Sequence, residues 1–128
     1  MSAPTIHLDT NYLVYYTNSD REEVIARINT WQRQGSKIYI SAMVWAEFPC
    51  GPLTVSDHDL AHDVIHGVLP LTLEIGNRAG FLFRATGRRS RSLPDCIIAA
   101  TAISESVPLA TMNLADFEPF VPHGLKLI

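Results

Sequence analysis

Apolar positions follow two periods along this chain. Thr5-Ile6-His7-Leu8 is a short β-like run closed by Asp9, and Lys37-Ile38-Tyr39-Ile40 is a second. Val68 to Leu71, Pro108 to Thr111 and Leu125 to Ile128 are three more. Between these runs the spacing turns helical. Asp9-Thr10-Asn11 is a cap-like cluster ahead of a short helix beginning at Tyr12. Ser19 with Glu22 three residues on has capping-box spacing, and Val24, Ile25, Ile28 and Trp31 follow at helical intervals until Gly35. Ser41 is expected to cap a helix carrying Val44, Trp45, Glu47 and Phe48, which Pro49, Gly51 and Pro52 break. Ser56 is expected to cap a helix through about His66, and a further helix runs from Thr72 to about Thr86. Gly87 to Ser92 is a polar, basic loop. Pro94 suits the first turn of a helix through Ile97, Ile98, Ala99, Ala100 and Ile103.

Strands therefore alternate with helices. That pattern predicts one α/β domain over residues 1–128, a parallel sheet with helices on both faces in three layers. Ligands of such sheets bind beyond the carboxyl ends of the strands.

Four acids fall at that place. Asp9 ends the first strand, Glu47 sits less than two turns into the helix leaving the second, and Asp95 lies in the first turn of the helix feeding the fourth. Asp116 lies five residues past Thr111. Taken singly, each is an ordinary turn, cap or surface acid. Taken together they predict one carboxylate cluster. Three sit in apolar runs, where an ionised carboxylate costs free energy unless its charge is compensated. Either some protonate or a divalent cation neutralises them, and oxygen ligands suit Mg²⁺ or Mn²⁺. Such an ion activates water and stabilises charge on a phosphodiester, so the chemistry expected is metal-dependent phosphodiester hydrolysis.

Composition narrows the setting. Hydrophobic residues are 47% of 128, enough for a core and too many for a disordered chain. No apolar run approaches the roughly 18 residues of a membrane helix. Met1 to Thr10 holds an Asp and no basic residue, unlike a signal peptide, and Cys50 and Cys96 read as free thiols, so a cytoplasmic location is expected. The net charge of −3 is unusual for a nucleic-acid enzyme. Setting aside the four clustered acids, nine acids face ten bases. Arg84, Arg88, Arg89 and Arg91 concentrate positive charge just before Asp95, as a phosphate clamp, a solvated loop or a partner contact.

Leu8-Asp9-Thr10-Asn11, Glu47 followed by Gly51, the run Leu93-Pro94-Asp95-Cys96-Ile97-Ile98-Ala99-Ala100, and Leu109-Ala110-Thr111-Met112-Asn113-Leu114-Ala115-Asp116 resemble, in order, the four motifs of PIN-domain ribonucleases. Within that family the chain is most similar to the small VapC-type toxins. The resemblance implies a sheet ordered 3-2-1-4-5 and Mg²⁺- or Mn²⁺-dependent endoribonuclease activity with RNA as substrate. It also implies a cognate antitoxin, a homodimer and a toxin–antitoxin hetero-oligomer. It makes Asp9, Glu47, Asp95 and Asp116 the expected catalytic acids, with Asp9, Asp95 and Asp116 on the metal. Asn11, Thr111 and Asn113 are then supporting polar residues, and the products expected carry 5′-phosphate and 3′-hydroxyl ends.

Other features carry weaker signals. His58, His62 and His66 recur every four residues on a predicted helix, a spacing that can bind metal. Leu60 and Val64 are expected to point the other way, which makes the histidines a solvated face. His7 is expected to be packed inside the first strand, and Cys96 to be buried. Tyr12, Tyr15, Tyr16, Trp31 and Trp45 can stack bases, although helical spacing favours core or dimer contacts. Phe81, Leu82 and Phe83 suit core or a partner surface. Two rivals are a PIN-like domain that binds RNA or protein with weak or no catalysis, and an α/β phosphotransfer protein. For the latter, a dehalogenase-like phosphatase wants a second Asp where Asn11 stands, and a receiver domain wants an acid within Leu69-Pro70-Leu71-Thr72.

Overall fold

The computed structural model describes residues 3–87 and 92–128. Four strands, β1 (Ile6–Leu8), β2 (Ile38–Ser41), β3 (Gly67–Leu69) and β4 (Leu109–Ala110), form a parallel sheet in the order 3-2-1-4. The expected fifth strand is reduced to a single parallel bridge. Leu109 donates to Lys126 and accepts from Ile128, so Leu127 lies on the free side of β4, where the fifth strand belongs. Pro122 and the left-handed Gly124 immediately before it leave too little extended chain for a longer ladder.

The helices are α1 (Thr10–Thr17), α2 (Glu22–Arg33), α3 (Ala42–Glu47), α4 (Val55–Val64), α5 (Leu73–Ala85), α6 (Ser92–Glu105) and α7 (Leu114–Phe117). α1 packs against α2, α3 and α4, and α5 packs against α6, which also touches β2 and α3. β1 is central and wholly buried, whereas the edge strand β3 leaves Val68 exposed. Ile6, Leu8, Ile38, Ile40 and Leu109 form the sheet's contribution to the core. Val24, Ile28, Val44, Ile98 and Ala99 cover it from the helices. Tyr12 and Trp31 stack at 6.1 Å between α1 and α2, with Arg27 bonded to the Tyr12 hydroxyl at 2.6 Å.

Three helix starts or stops differ from expectation, each for a local reason. Ser19 does not begin α2. It closes α1, with φ of +52°, Asp20 N–H bonded to Tyr15 O and Ser19 N–H to Tyr16 O, the paired bonds of a Schellman end. Arg21 then takes the N-cap position without a side-chain bond. Thr54, not Ser56, caps α4, because Thr54 and Asp57 exchange both bonds of a capping box. α4 ends at Val64, so His66 lies beyond the helix. Ala61 and Val64 face inward and Leu60 is exposed, contrary to the expected facing of Leu60. Ser41 caps α3 as expected, and Thr72, where a helix was expected to begin, caps α5.

Candidate active site

The sheet order reverses between β1 and β4, since β1 leads outward to β2 while β4 returns to its other side. Crevices at such reversals are where open α/β sheets hold ligands. Asp9 and Thr111 stand there, each one residue past its strand. The Thr111 hydroxyl donates to Asp9 Oδ2 at 2.7 Å, and Thr10 N–H donates to Asp9 Oδ1 at the same distance. Asn113 N–H holds Thr111 Oγ1 at 2.9 Å, so the hydroxyl proton is committed to Asp9. Asp9 is 5% exposed. Burial pushes its pKa up, the two hydrogen bonds oppose that, and the negative charges of Glu47 and Asp116 push it up further.

A pocket of about 300 Å³ opens over this carboxylate, and Glu47, Asp95, Asn11 and Asn113 line it with Asp9. Glu47 ends α3, before the Phe48–Cys50 turn that carries Pro49. Its Oε1 accepts the Thr10 hydroxyl at 2.6 Å, a bond spanning 37 residues that ties the end of α3 to the start of α1. Asp95 enters from the first turn of α6. Asp116 lies in α7, beside rather than in the pocket lining, with its N–H bonded to Asn113 O and its charge felt at Asp9. Asn11 Oδ1 accepts Met112 N–H at 3.3 Å, and its Nδ2 is buried without a partner. Thr10, Val14 and Tyr15 also line the pocket, and sequence reasoning assigned none of them to it. Thr10 was signalled only by its place directly after a strand-end acid.

The donor set is oxygen throughout and carries excess negative charge around a desolvated carboxylate, which fits a hard divalent cation. No three His, Cys, Asp or Glu side chains among the described residues are gathered into a ready metal cluster. Thr10 donates to a Glu47 oxygen and Thr111 to an Asp9 oxygen, so each of these carboxylates has an oxygen already engaged.

The remaining expectations divide. Arg84 is exposed near the end of α5 and does not line the pocket, while Arg88, Arg89 and Arg91 lie outside the described residues. His7 is buried, and desolvation lowers its pKa to about 4. Cys96 is buried and Cys50 exposed, both unbridged. Leu82 is core, Phe83 is half-buried, and Phe81 is exposed against His123. Among the described residues no helix is long and apolar enough to cross a membrane.

A three-layer parallel α/β fold with carboxylates at its topological reversal defines a class, and the family model for the PIN domain matches residues 6–118. The chain belongs to the PIN-domain family. Its fold matches a chain of VapBC2 from Rickettsia felis bound to a promoter DNA fragment, with a TM-score of 0.77, 22% identity and 97% of each chain covered. It also matches a chain of FitAcB from Neisseria gonorrhoeae, with a TM-score of 0.73, 21% identity, and 97% of this chain and 96% of that one covered. A chain of a toxin–antitoxin complex from Klebsiella pneumoniae matches with a TM-score of 0.71 and 26% identity, over 88% of this chain and 90% of that one. No curated protein matches the sequence.

Proposed function

We propose that this chain is the nuclease toxin of a toxin–antitoxin pair, an endoribonuclease that uses Mg²⁺ or Mn²⁺. The observation that carries the reading is the buried Asp9 at the sheet reversal, with Glu47 and Asp95 in the same pocket and the Asp116 charge beside it. Asp9, Asp95 and Asp116 would hold the ion. When bound, it supplies positive charge to a phosphodiester and lowers the pKa of water. The chain's own residues do the rest. Thr111 and Thr10 fix both oxygens of Asp9, so this carboxylate presents one orientation. The Thr10 hydroxyl fixes Glu47 at Oε1 and leaves its carboxylate at the pocket wall as a proton acceptor. Asn113 and Asn11 offer polar groups at the edges. The structures that share this fold include toxin–antitoxin complexes, which supports an antitoxin as partner; a homodimer within such a complex is part of the same proposal.

Purified protein should cleave single-stranded RNA in Mg²⁺ or Mn²⁺, leave 5′-phosphate and 3′-hydroxyl ends, and stop cleaving in chelator. Cleavage that persists in chelator, or ends that are 2′,3′-cyclic phosphate, contradicts the reading. Co-expression with the protein encoded beside it should silence the activity.

A further inference from the structure

Five aromatic side chains are available to stack bases, and the fold distributes them unevenly. Tyr12 and Trp31 are buried against each other. Tyr15, Tyr16 and Trp45 are half-buried and all pack partly on the core, and Trp45 also lines a different cavity with His62 and His66. Tyr15 lines the acidic pocket with Asp9, Glu47 and Asp95. The described residues lining that pocket include no base, yet an RNA strand brings a negative charge with every nucleotide. Arg21 supplies the cation next door. Its guanidinium carbon lies 4.8 Å from the centroid of the Tyr15 ring. The backbone builds that contact: the Ser19 turn at φ of +52°, closed by Asp20 N–H on Tyr15 O at 3.0 Å, folds the chain back over the last turn of α1.

We propose that Tyr15 and Arg21 form a nucleotide subsite at the rim of the acidic pocket, which takes one unpaired nucleotide of a single-stranded RNA beside the scissile phosphate. The base stacks on the outward face of the Arg21 guanidinium, which the Tyr15 ring supports from beneath, and the guanidinium N–H edge meets the adjoining phosphate. Both surfaces recognise a base by its π-face, so the subsite selects unpaired over paired RNA more than one base over another. This inference rests on the nuclease reading, and the experiment separates the two.

A short single-stranded oligoribonucleotide carrying 2-aminopurine is titrated against full-length protein in the Asp9→Asn background, which slows cleavage, with chelator present to stop the remainder. Binding should quench the fluorescence. Tyr15→Leu should weaken binding about 5- to 150-fold and abolish the quench, while Tyr15→Phe keeps both. Arg21→Gln, at an exposed position, should weaken binding and reduce the slope of log affinity against log salt by about 0.7. The same oligonucleotide in a duplex should bind more weakly and remain unquenched. In the otherwise wild-type protein, Tyr15→Leu should raise KM more than it lowers kcat. If the wild type cleaves RNA but Tyr15→Leu binds with unchanged affinity and quench, the subsite is overturned. Loss of antitoxin binding with RNA binding intact overturns it too, and assigns the pair to the protein partner. If the wild type cleaves nothing, yet the quench is present and Tyr15→Leu removes it, the subsite stands and the nuclease reading fails.

Discussion

Two groups of metal-competent side chains behave oppositely in this molecule. His58, His62 and His66 are evenly spaced and close in sequence, yet the three rings do not converge. The His58 and His62 rings are 6.0 Å apart, but both pack against Trp45, at 5.3 and 5.8 Å. His66 has left the helix and uses Nδ1 to accept Ile38 N–H at 3.0 Å. The four acids are scattered from Asp9 to Asp116, yet a single pocket and its flank gather them. Spacing within one helix guarantees only that side chains are neighbours. Position relative to strand ends decides which side chains converge, because a parallel sheet points all its carboxyl ends the same way.

The sharpest way to break this contrast is to neutralise each group. Asp9→Asn should lower RNA cleavage about 10²- to 10³-fold, while the double substitution His58→Gln, His62→Gln should leave the rate unchanged. Equal losses in a cleavage assay would erase the distinction. Asp9→Asn should also raise the melting temperature in chelator, since it removes a buried charge whose pKa is pushed up by desolvation and by Glu47 and Asp116.

A second contrast separates His7 from the surface histidines. Burial lowers the His7 pKa to about 4, below its usual 6.5. The unfolded chain therefore takes up a proton below about pH 6.5 that the folded chain refuses until about 4. Stability from this group is complete above pH 6.5, falls as pH drops through that window, and amounts to about 3 kcal/mol in all. Denaturant unfolding of wild type and His7→Phe across pH 7 to 4 should show the wild type losing more. Parallel curves would mean that His7 gains a proton without cost.

The fold was largely legible because strand-like and helical periods alternate cleanly, and because Ser41, Thr72 and Pro94 punctuate helices in the usual places. The acids were legible for the same reason, Asp9 being placed by a strand end, Asp95 and Asp116 by helix starts, and Glu47 by the short helix that leaves β2. What escaped depends on three dimensions. Nothing local says that Thr10 will reach Glu47 across 37 residues. A substitution of Thr10→Val should sharpen that point, with cleavage falling about tenfold as Glu47 loses its charge-assisted anchor, and no change in global fold by circular dichroism. Ser19 misled because serine serves both as a helix N-cap and, less comfortably, in the left-handed turn that ends a helix. Ser19→Gly should therefore stabilise the protein by about 1 kcal/mol, the smallest effect expected here, read as a rise in the denaturation midpoint. Had Ser19 capped α2, the same change would destabilise it slightly. The fifth strand shrank to one bridge because Pro122 and Gly124 crowd its start, a constraint that the apolar pattern of Leu125 to Ile128 does not reveal.

The most direct test is titration of the purified protein with Mn²⁺, followed by electron paramagnetic resonance to count bound ions. Wild type and the His58→Gln, His62→Gln double variant should bind Mn²⁺ saturably and alike, and Asp9→Asn should lose that binding. Undiminished binding by Asp9→Asn, or its disappearance in the histidine variant instead, would contradict the central claim.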